Sequence, residues 1–381
     1  HMVMGPACGL ILADLGADVI KVEPTPAGDN TRRLTGSGTG MFPAFNRNKR
    51  SLAVDLKKPE GLALVAKLVA GADVVIENFR PGAMEKLGLG FETLAASNPK
   101  LVYCSLKGFL SGPYEDRTAL DEVVQLMGGL AYMTGPPGNP LRAGSSVNDI
   151  MGGMFAVIGI MAALEERRLT GRGQHVRTSL FQGAQLFTTQ IWTYVEHSRP
   201  DFYGTMVKAY PPGVHQEMIY EVAGDEWVHT SIMSGLTPIK SQDELVGVPE
   251  ATDPSRFPLL SAEERAALLP KRRAGYKQRP REELIEEFRE NNHAVEAIIS
   301  MEENLGSTGR PHPQLVANDM IATVEDPEFG TTTQVGVPLH FGTSTTGIKG
   351  PRPKAGQHNA EIFGALGYSA DQIAKFAGAA R

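Results

Sequence analysis

Asp149 is the residue of this sequence with the clearest chemical potential. It lies in the segment Asn148-Asp149-Ile150-Met151-Gly152-Gly153-Met154, which leads into an apolar run ending at Leu164. Two interpretations are open. Asn148 or Asp149 could cap a helix N-terminus with its side-chain oxygen. Alternatively, the two glycines, which each cost a helix about 1 kcal/mol relative to alanine, allow a ligand to approach a reactive carboxylate at a helix end that stabilises negative charge.

The elements that position this segment alternate between helix and strand. We predict helices over 5–16, 59–72, 121–130 and 180–196, and strands over 17–23, 73–77, 101–106 and 174–179. Such alternation is typical of a parallel sheet covered by helices on both faces. Ligands gather beyond the carboxyl ends of the strands in these sheets, and this places Asn78, Phe79, Arg80 and Lys107 together.

The segment from 26 to 58 is basic and irregular, with Arg32-Arg33, Asn46-Arg47-Asn48-Lys49-Arg50 and Lys57-Lys58. Its glycines at 36, 38 and 40 do not fit the dinucleotide-binding fingerprint. The basic side chains either form a solvated face or hold a polyphosphate at one sheet edge.

Composition describes an ordinary globular protein of 381 residues with 41% hydrophobic residues. The net charge of −6 argues against nucleic-acid binding. Only two cysteines are present, Cys8 and Cys104, so a reducing compartment, the cytoplasm, is expected. The most apolar segment, 151–164, is too short for a membrane span. Neither a Ser-His-Asp arrangement nor metal-ligand spacing is visible.

The domain organisation is predicted from a change of composition near residue 198. Residues 1–200 and 310–381 form a large domain, and 203–305 form a second, smaller one with amphipathic helices at 261–269 and 281–291. The chain opens on a helix, whereas doubly wound sheets begin with a strand. We therefore expect that the first strand is missing from this chain or that His1-Met2 is a cloning remnant.

Several blocks of the sequence resemble the class III CoA-transferases, the CaiB/BaiF family that includes formyl-CoA transferase. The resemblance is specific across 5–180, weak from 200 to 300, and recovers toward the C-terminus. It is carried by Gly5-Pro6-Ala7-Cys8, Leu15-Gly16-Ala17-Asp18-Val19-Ile20-Lys21-Val22-Glu23, Asn48-Lys49-Arg50-Ser51, Asp55-Leu56-Lys57, Glu77-Asn78-Phe79-Arg80-Pro81-Gly82, Ala162-Ala163-Leu164 and Thr170-Gly171-Arg172-Gly173-Gln174.

The resemblance implies that Asp149 is a nucleophile that attacks the thioester of an acyl-CoA, with Gly152 and Gly153 forming an oxyanion and acyl pocket and no metal involved. It implies a Rossmann-like doubly wound α/β large domain with a smaller α+β domain, and two chains interlocked in a homodimer. The residues that it implies for coenzyme A binding are Val54, Lys57, Asn78, Phe79, Arg80, Lys86, Lys107 and Arg117.

Two alternatives remain open at this point. The same superfamily contains α-methylacyl-CoA racemases, which pair the aspartate with a histidine just before the position of Asp121, where this chain has Leu120. Racemisation without that second acid/base is difficult, so transfer is favoured. The other alternative is a non-catalytic CoA-binding protein. The glycine-rich substrate loop of oxalate-using relatives has no match near 210–213.

Overall fold

The computed structural model of the protein describes residues 2–134, 139–197, 218–231, 237–248, 260–307, 309–369 and 372. The chain divides into two compact units, 1–128 with 144–186 and 313–381, and 129–143 with 187–312. The fold is mixed α/β with parallel sheets. The loop at 210–213 falls outside the residues described.

The first unit contains most of the predicted helices and strands close to their expected positions. Its strands are β1 (Ile20–Glu23), β2 (Arg50–Ala53), β3 (Val74–Glu77), β4 (Val102–Lys107), β5 (His175–Ser179), β9 (Ile321–Asp326) and β10 (Gly330–Val335). Its helices are α1 (Met4–Asp14), α2 (Met41–Asn46), α3 (Pro59–Ala70), α4 (Ala83–Lys86), α5 (Phe91–Ser97), α6 (Asp121–Met127), α8 (Val147–Thr170), α14 (Pro313–Ala317) and α15 (Asn359–Ala365), while α9 (Leu180–His197) continues into the second unit.

A parallel sheet of order β3-β4-β5 carries the candidate site, and β1 pairs in parallel with β2. Side chains alternate across β4, so Cys104 packs with α1 and α8 on one face while Tyr103 packs with α3 and α5 on the other. The prediction of a parallel sheet with two covered faces is confirmed. The Rossmann-like doubly wound topology stays a prediction, because the described strands form two separate parallel sheets.

The basic segment between 26 and 58 has a structural role that the sequence did not reveal. Arg32 pairs with buried Glu23 at 2.7 Å, and Arg47 pairs with buried Asp14 at 2.7 Å. Buried Lys49 donates to the carbonyl oxygens of Pro6 and Phe45. These cations are therefore committed to internal partners, and the interpretation of the run as a polyphosphate holder is wrong for them.

Helix α8 is the central helix of the first unit. Its 24 residues are long and apolar enough to cross a membrane, so the expectation that this segment is too short was wrong. However, Ala156, Ile160 and Ala163 are buried in the core shared with α1 and β4. This packing identifies α8 as the core helix of a folded unit. Cys8 and Cys104 are free and buried in the same core.

The second unit has its own sheet of order β6-β7-β8, with strands β6 (Ile219–Glu221), β7 (Trp227–Ser231) and β8 (Ala294–Ile298). Its core is organised around stacked Tyr220 and Tyr276, whose ring centroids lie 3.9 Å apart. A fully buried ion pair joins Arg272 to Asp243. The remaining helices are α7 (Leu130–Thr134), α10 (Gln242–Leu245), α11 (Ala262–Lys277), α12 (Arg281–Glu290) and α13 (Met301–Leu305).

Candidate active site

Asp149 lies inside the first turn of α8 and does not cap it. The helix begins at Val147 after Ser146, whose side chain makes no capping bond. The N–H groups of Asn148 and Asp149 instead donate to the carboxylate of Asp121, at 2.7 and 3.2 Å. The capping interpretation of Asn148 and Asp149 is therefore wrong, and the Asp149 side chain is not needed to close its own helix.

The Asp149 carboxylate lies where two helices begin. It accepts the backbone N–H of Met4, the first residue of α1, and it stands in the first turn of α8. Unpaired N–H groups give each helix N-terminus a partial positive charge, so this location favours an anion. The side chain is half-buried and thus remains partly accessible to solvent.

Burial makes this carboxylate a stronger base than an exposed aspartate. Removal from water raises the pKa of Asp149 from 3.8 to about 6, and the nearby negative charge of Asp121 adds to the increase. The N–H group of Met4 acts in the opposite direction. At neutral pH the group is still mostly ionised, and this is the state that a carboxylate nucleophile requires.

Gly152 and Gly153 face α1 across a close helix contact. A Cβ on Gly152 would lie 2.4 Å from the Met4 side chain, and one on Gly153 would lie 2.9 Å from the Met4 carbonyl oxygen. Close packing therefore explains both glycines. Their N–H groups lie beyond the first turn, where the helix backbone uses its own donors. Their part in an oxyanion or acyl pocket stays a prediction.

The turn after β3 lies against the same end of α1 as Asp149. The Asn78 side chain packs against Gly5, where a Cβ would come within 2.9 Å of it. Lys107, at the end of β4, donates to the Phe79 carbonyl oxygen at 2.9 Å and pairs with buried Glu77 at 2.7 Å. Asn78, Phe79 and Lys107 are therefore brought together as the sheet argument predicted, although Lys107 is engaged by protein groups.

The other residues predicted to bind CoA have different environments. Val54 is buried in the core that contains Leu52 and Leu64, and its backbone N–H donates to the carbonyl oxygen of Glu23. Arg80 directly follows Phe79 and is exposed, as are Lys57 and Lys86. The exposed Arg117 guanidinium stacks 3.8 Å above the ring of Tyr114. No contact that the structure describes joins Val54, Lys57, Lys86 or Arg117 to the Asp149 carboxylate.

Sequence reasoning missed three buried polar residues beside Asp149. Asp121 and Gln125 were visible only as two positions of a predicted helix, and Asn148 only as a helix cap. Asn148 is fully buried, and neither polar atom of its carboxamide has a hydrogen-bond partner. The spacing of Asp121 and Gln125, four residues apart on one helix face, was the available signal. Among the described residues, no group of three His, Cys, Asp or Glu side chains could hold a metal ion.

Comparison with known proteins assigns the chain to a family. The profile of CoA-transferase family III matches residues 1–359. The chain belongs to CoA-transferase family III. The succinyl-CoA–D-citramalate CoA-transferase of Chloroflexus aurantiacus is 35% identical, over 97% of this chain and 92% of the relative. The formyl-CoA:oxalate CoA-transferase of Streptomyces avermitilis is 33% identical, over 98% and 94%.

Solved structures of family III members agree with this assignment. The crystal structure of a CaiB/BaiF family protein from Brucella suis superimposes with a TM-score of 0.78 at 31% identity, covering 96% of each chain. The resemblance read from the sequence is thereby confirmed, and with it the assignment to the class III CoA-transferases. Enzymes of this family use CoA thioesters as substrates.

Proposed function

We propose that this family III enzyme moves CoA from an acyl-CoA donor to a carboxylic acid acceptor, with Asp149 as the nucleophile. The observation that carries the proposal is the Asp149 carboxylate itself. It is partly accessible, its pKa is raised to about 6, and its own helix is capped by another residue. It also lies at the end of α1 against which Asn78 packs.

The reaction proceeds through covalent intermediates on Asp149. Its carboxylate attacks the thioester carbonyl of the donor, the C–S bond breaks, and a mixed anhydride and the CoA thiolate form. The thiolate then attacks the aspartyl carbonyl, which gives an aspartyl-CoA thioester and releases the donor acid. The acceptor carboxylate attacks this thioester, the C–S bond breaks, and a second mixed anhydride and the CoA thiolate form. The thiolate then attacks the acyl carbonyl of the acceptor, which gives the new acyl-CoA and releases the Asp149 carboxylate. The steps conserve the energy of the thioester.

The turn after β3 supplies the CoA site in this proposal. Asn78 and Phe79 offer an amide and an aromatic ring beside the α1 terminus, and Phe79 is 37% exposed, so it can stack on the adenine. Arg80 and the exposed lysines Lys57 and Lys86 supply positive charge for the phosphates. Lys107 holds the turn through Glu77 and the Phe79 carbonyl oxygen.

An interlocked homodimer is part of the same proposal. One face of α8 exposes Met154, Ile158 and Met161 by more than half of their surface, at 51, 60 and 54%. A row of large apolar side chains at helical spacing is typical of a surface that a partner covers. Light scattering at several concentrations tests the dimer, and Ile158→Glu should shift it toward the monomer.

Substitution of Asp149 tests the reaction. With succinyl-CoA as donor, acceptors are taken from the substrates in the relatives' names, namely citramalate, oxalate, malate and glutarate. Asp149→Ala should abolish transfer to every acceptor that the wild type uses, whereas the control Asp116→Ala, at an exposed position, should leave transfer unchanged. Full activity of Asp149→Ala would refute the proposal. Deuterium entering a 2-methylacyl-CoA without an acceptor would point to racemisation.

A further inference from the structure

Asp121 caps helix α8 from another helix. It is the first residue of α6 and is 3% exposed. One of its carboxylate oxygens, Oδ1, accepts the N–H groups of both Asn148 and Asp149. Two of the donors that the first turn of α8 leaves unpaired therefore meet a full negative charge, and charge-assisted bonds of this kind are stronger than neutral ones.

Gln125 holds Asp121 and the segment before α8 at the same time. It lies one turn after Asp121 on α6 and is fully buried. Its Nε2 group donates to the second carboxylate oxygen of Asp121, and to the carbonyl oxygen of Ser145 at 3.1 Å. Asp121 and Gln125, on one face of α6, thus bond to the backbone on both sides of the start of α8, from Ser145 to Asp149.

The start of α6 is the main source of negative charge near Asp149. On α6, Asp121 and its exposed neighbour Glu122 both act against ionisation of Asp149. On the opposite side, the N–H group of Met4 at the start of α1 favours ionisation. Asp121 is the one of these charges that is bonded to the Asp149 backbone.

We propose that Asp121, held by Gln125, is a positioning residue for CoA transfer: it fixes the first turn of α8 so that the Asp149 carboxylate stays beside the start of α1. This inference rests on the proposed role of Asp149. A nucleophile held in an attack geometry reacts much faster than a mobile one. Loss of the hydrogen bonds from Asp121 and Gln125 to the start of α8 should therefore lower kcat, whereas acyl-CoA should still bind at the Asn78 turn.

The test measures kcat, KM and the pH profile of kcat/KM with succinyl-CoA and whichever acceptor the wild type uses. Asp121→Asn should lower kcat at least about tenfold with KM for succinyl-CoA changed less than about threefold. It should also move the acidic limb of the profile to lower pH, because a negative charge near Asp149 is lost. The matched control, Glu122→Gln, removes a charge that makes no bond to α8 among the described contacts and should change kcat less than about threefold.

Gln125→Ala separates positioning from charge and covers the case in which Asp121→Asn does not fold. It should lower kcat without moving the pH profile, because the Asp121 charge remains. The inference would be overturned if Gln125→Ala has the kcat of the wild type and Asp121→Asn either has wild-type kinetics or does not fold. Asp149→Ala is measured in the same assay. If Asp149→Ala is inactive, wild-type kcat in the other variants refutes only the role of Asp121. If Asp149→Ala is active, the proposed function itself fails.

Discussion

Asp149→Asn should make the protein more stable at neutral pH while removing its activity. In the folded protein, burial raises the pKa of Asp149 from 3.8 to about 6. The folded state therefore binds a proton more tightly than the unfolded state, and the wild type loses stability as the pH rises from about 4 to about 6. Above that range the wild type carries the full free-energy cost of burying an ionised carboxylate, whereas asparagine has no charge to bury.

The magnitude follows from the two pKa values. A difference of about two units corresponds to roughly 3 kcal/mol, and this is an upper limit because the side chain is only half-buried. The charge-assisted bond from Met4 is already included in the pKa of about 6, because it stabilises only the ionised carboxylate. Between pH 4 and pH 8, the stability of Asp149→Asn relative to wild type should therefore increase by about 2–3 kcal/mol.

Urea unfolding monitored by circular dichroism at pH 4, 6 and 8 measures this difference. The matched control is Asp116→Asn at an exposed position, for which the stability difference from wild type should vary little with pH. A stability difference between Asp149→Asn and wild type that stays constant from pH 4 to pH 8 would refute the reasoning. It would mean that Asp149 is as well solvated in the folded protein as in the unfolded chain.

Three further predictions concern the same unit. The value of kcat/KM should fall about tenfold per pH unit below pH 6, because only ionised Asp149 attacks, and a pH-independent rate between 5 and 8 would contradict this. Gly153→Ala should lower the free energy of unfolding in urea by about 1–3 kcal/mol, because the new Cβ meets the α1 backbone. The control Gly144→Ala, with open space around it, should lower it little, and equal losses would be inconsistent with close packing. Lys107→Met should lower the free energy of unfolding by about 2–4 kcal/mol, because Glu77 stays buried without its cation. It should also raise KM for acyl-CoA, since Lys107 holds the Phe79 carbonyl oxygen. An unchanged melting temperature would contradict the role of the ion pair.

Much of the first unit could be predicted from the sequence because its signals are local. Hydrophobic runs with glycine and proline boundaries placed β3, β4 and β5 within one or two residues of their observed ends. The parallel arrangement then followed from alternation, and it brought Asn78 and Lys107 to one sheet edge. Strand β2 was missed because its four residues follow a basic run that resembles a surface loop.

The environment of Asp149 could not be predicted, because it depends on contacts between distant segments. Asp121 precedes it by 28 residues and Met4 by far more, and neither spacing follows a helical or strand period. The basic residues Arg32 and Arg47 were misread for the same reason: their partners Glu23 and Asp14 are buried acids on other elements. Local patterns identify a charge, whereas only the fold decides whether a buried partner neutralises it.

Covalent trapping on Asp149 tests the central claim most directly. The enzyme is incubated with succinyl-CoA and no acceptor, then with hydroxylamine, which attacks an activated aspartyl carbonyl and releases CoA. Peptide mass spectrometry should find a hydroxamate on Asp149, and none without succinyl-CoA or in Asp149→Ala. Turnover with no modification of Asp149, or with a hydroxamate on another residue, would contradict the account.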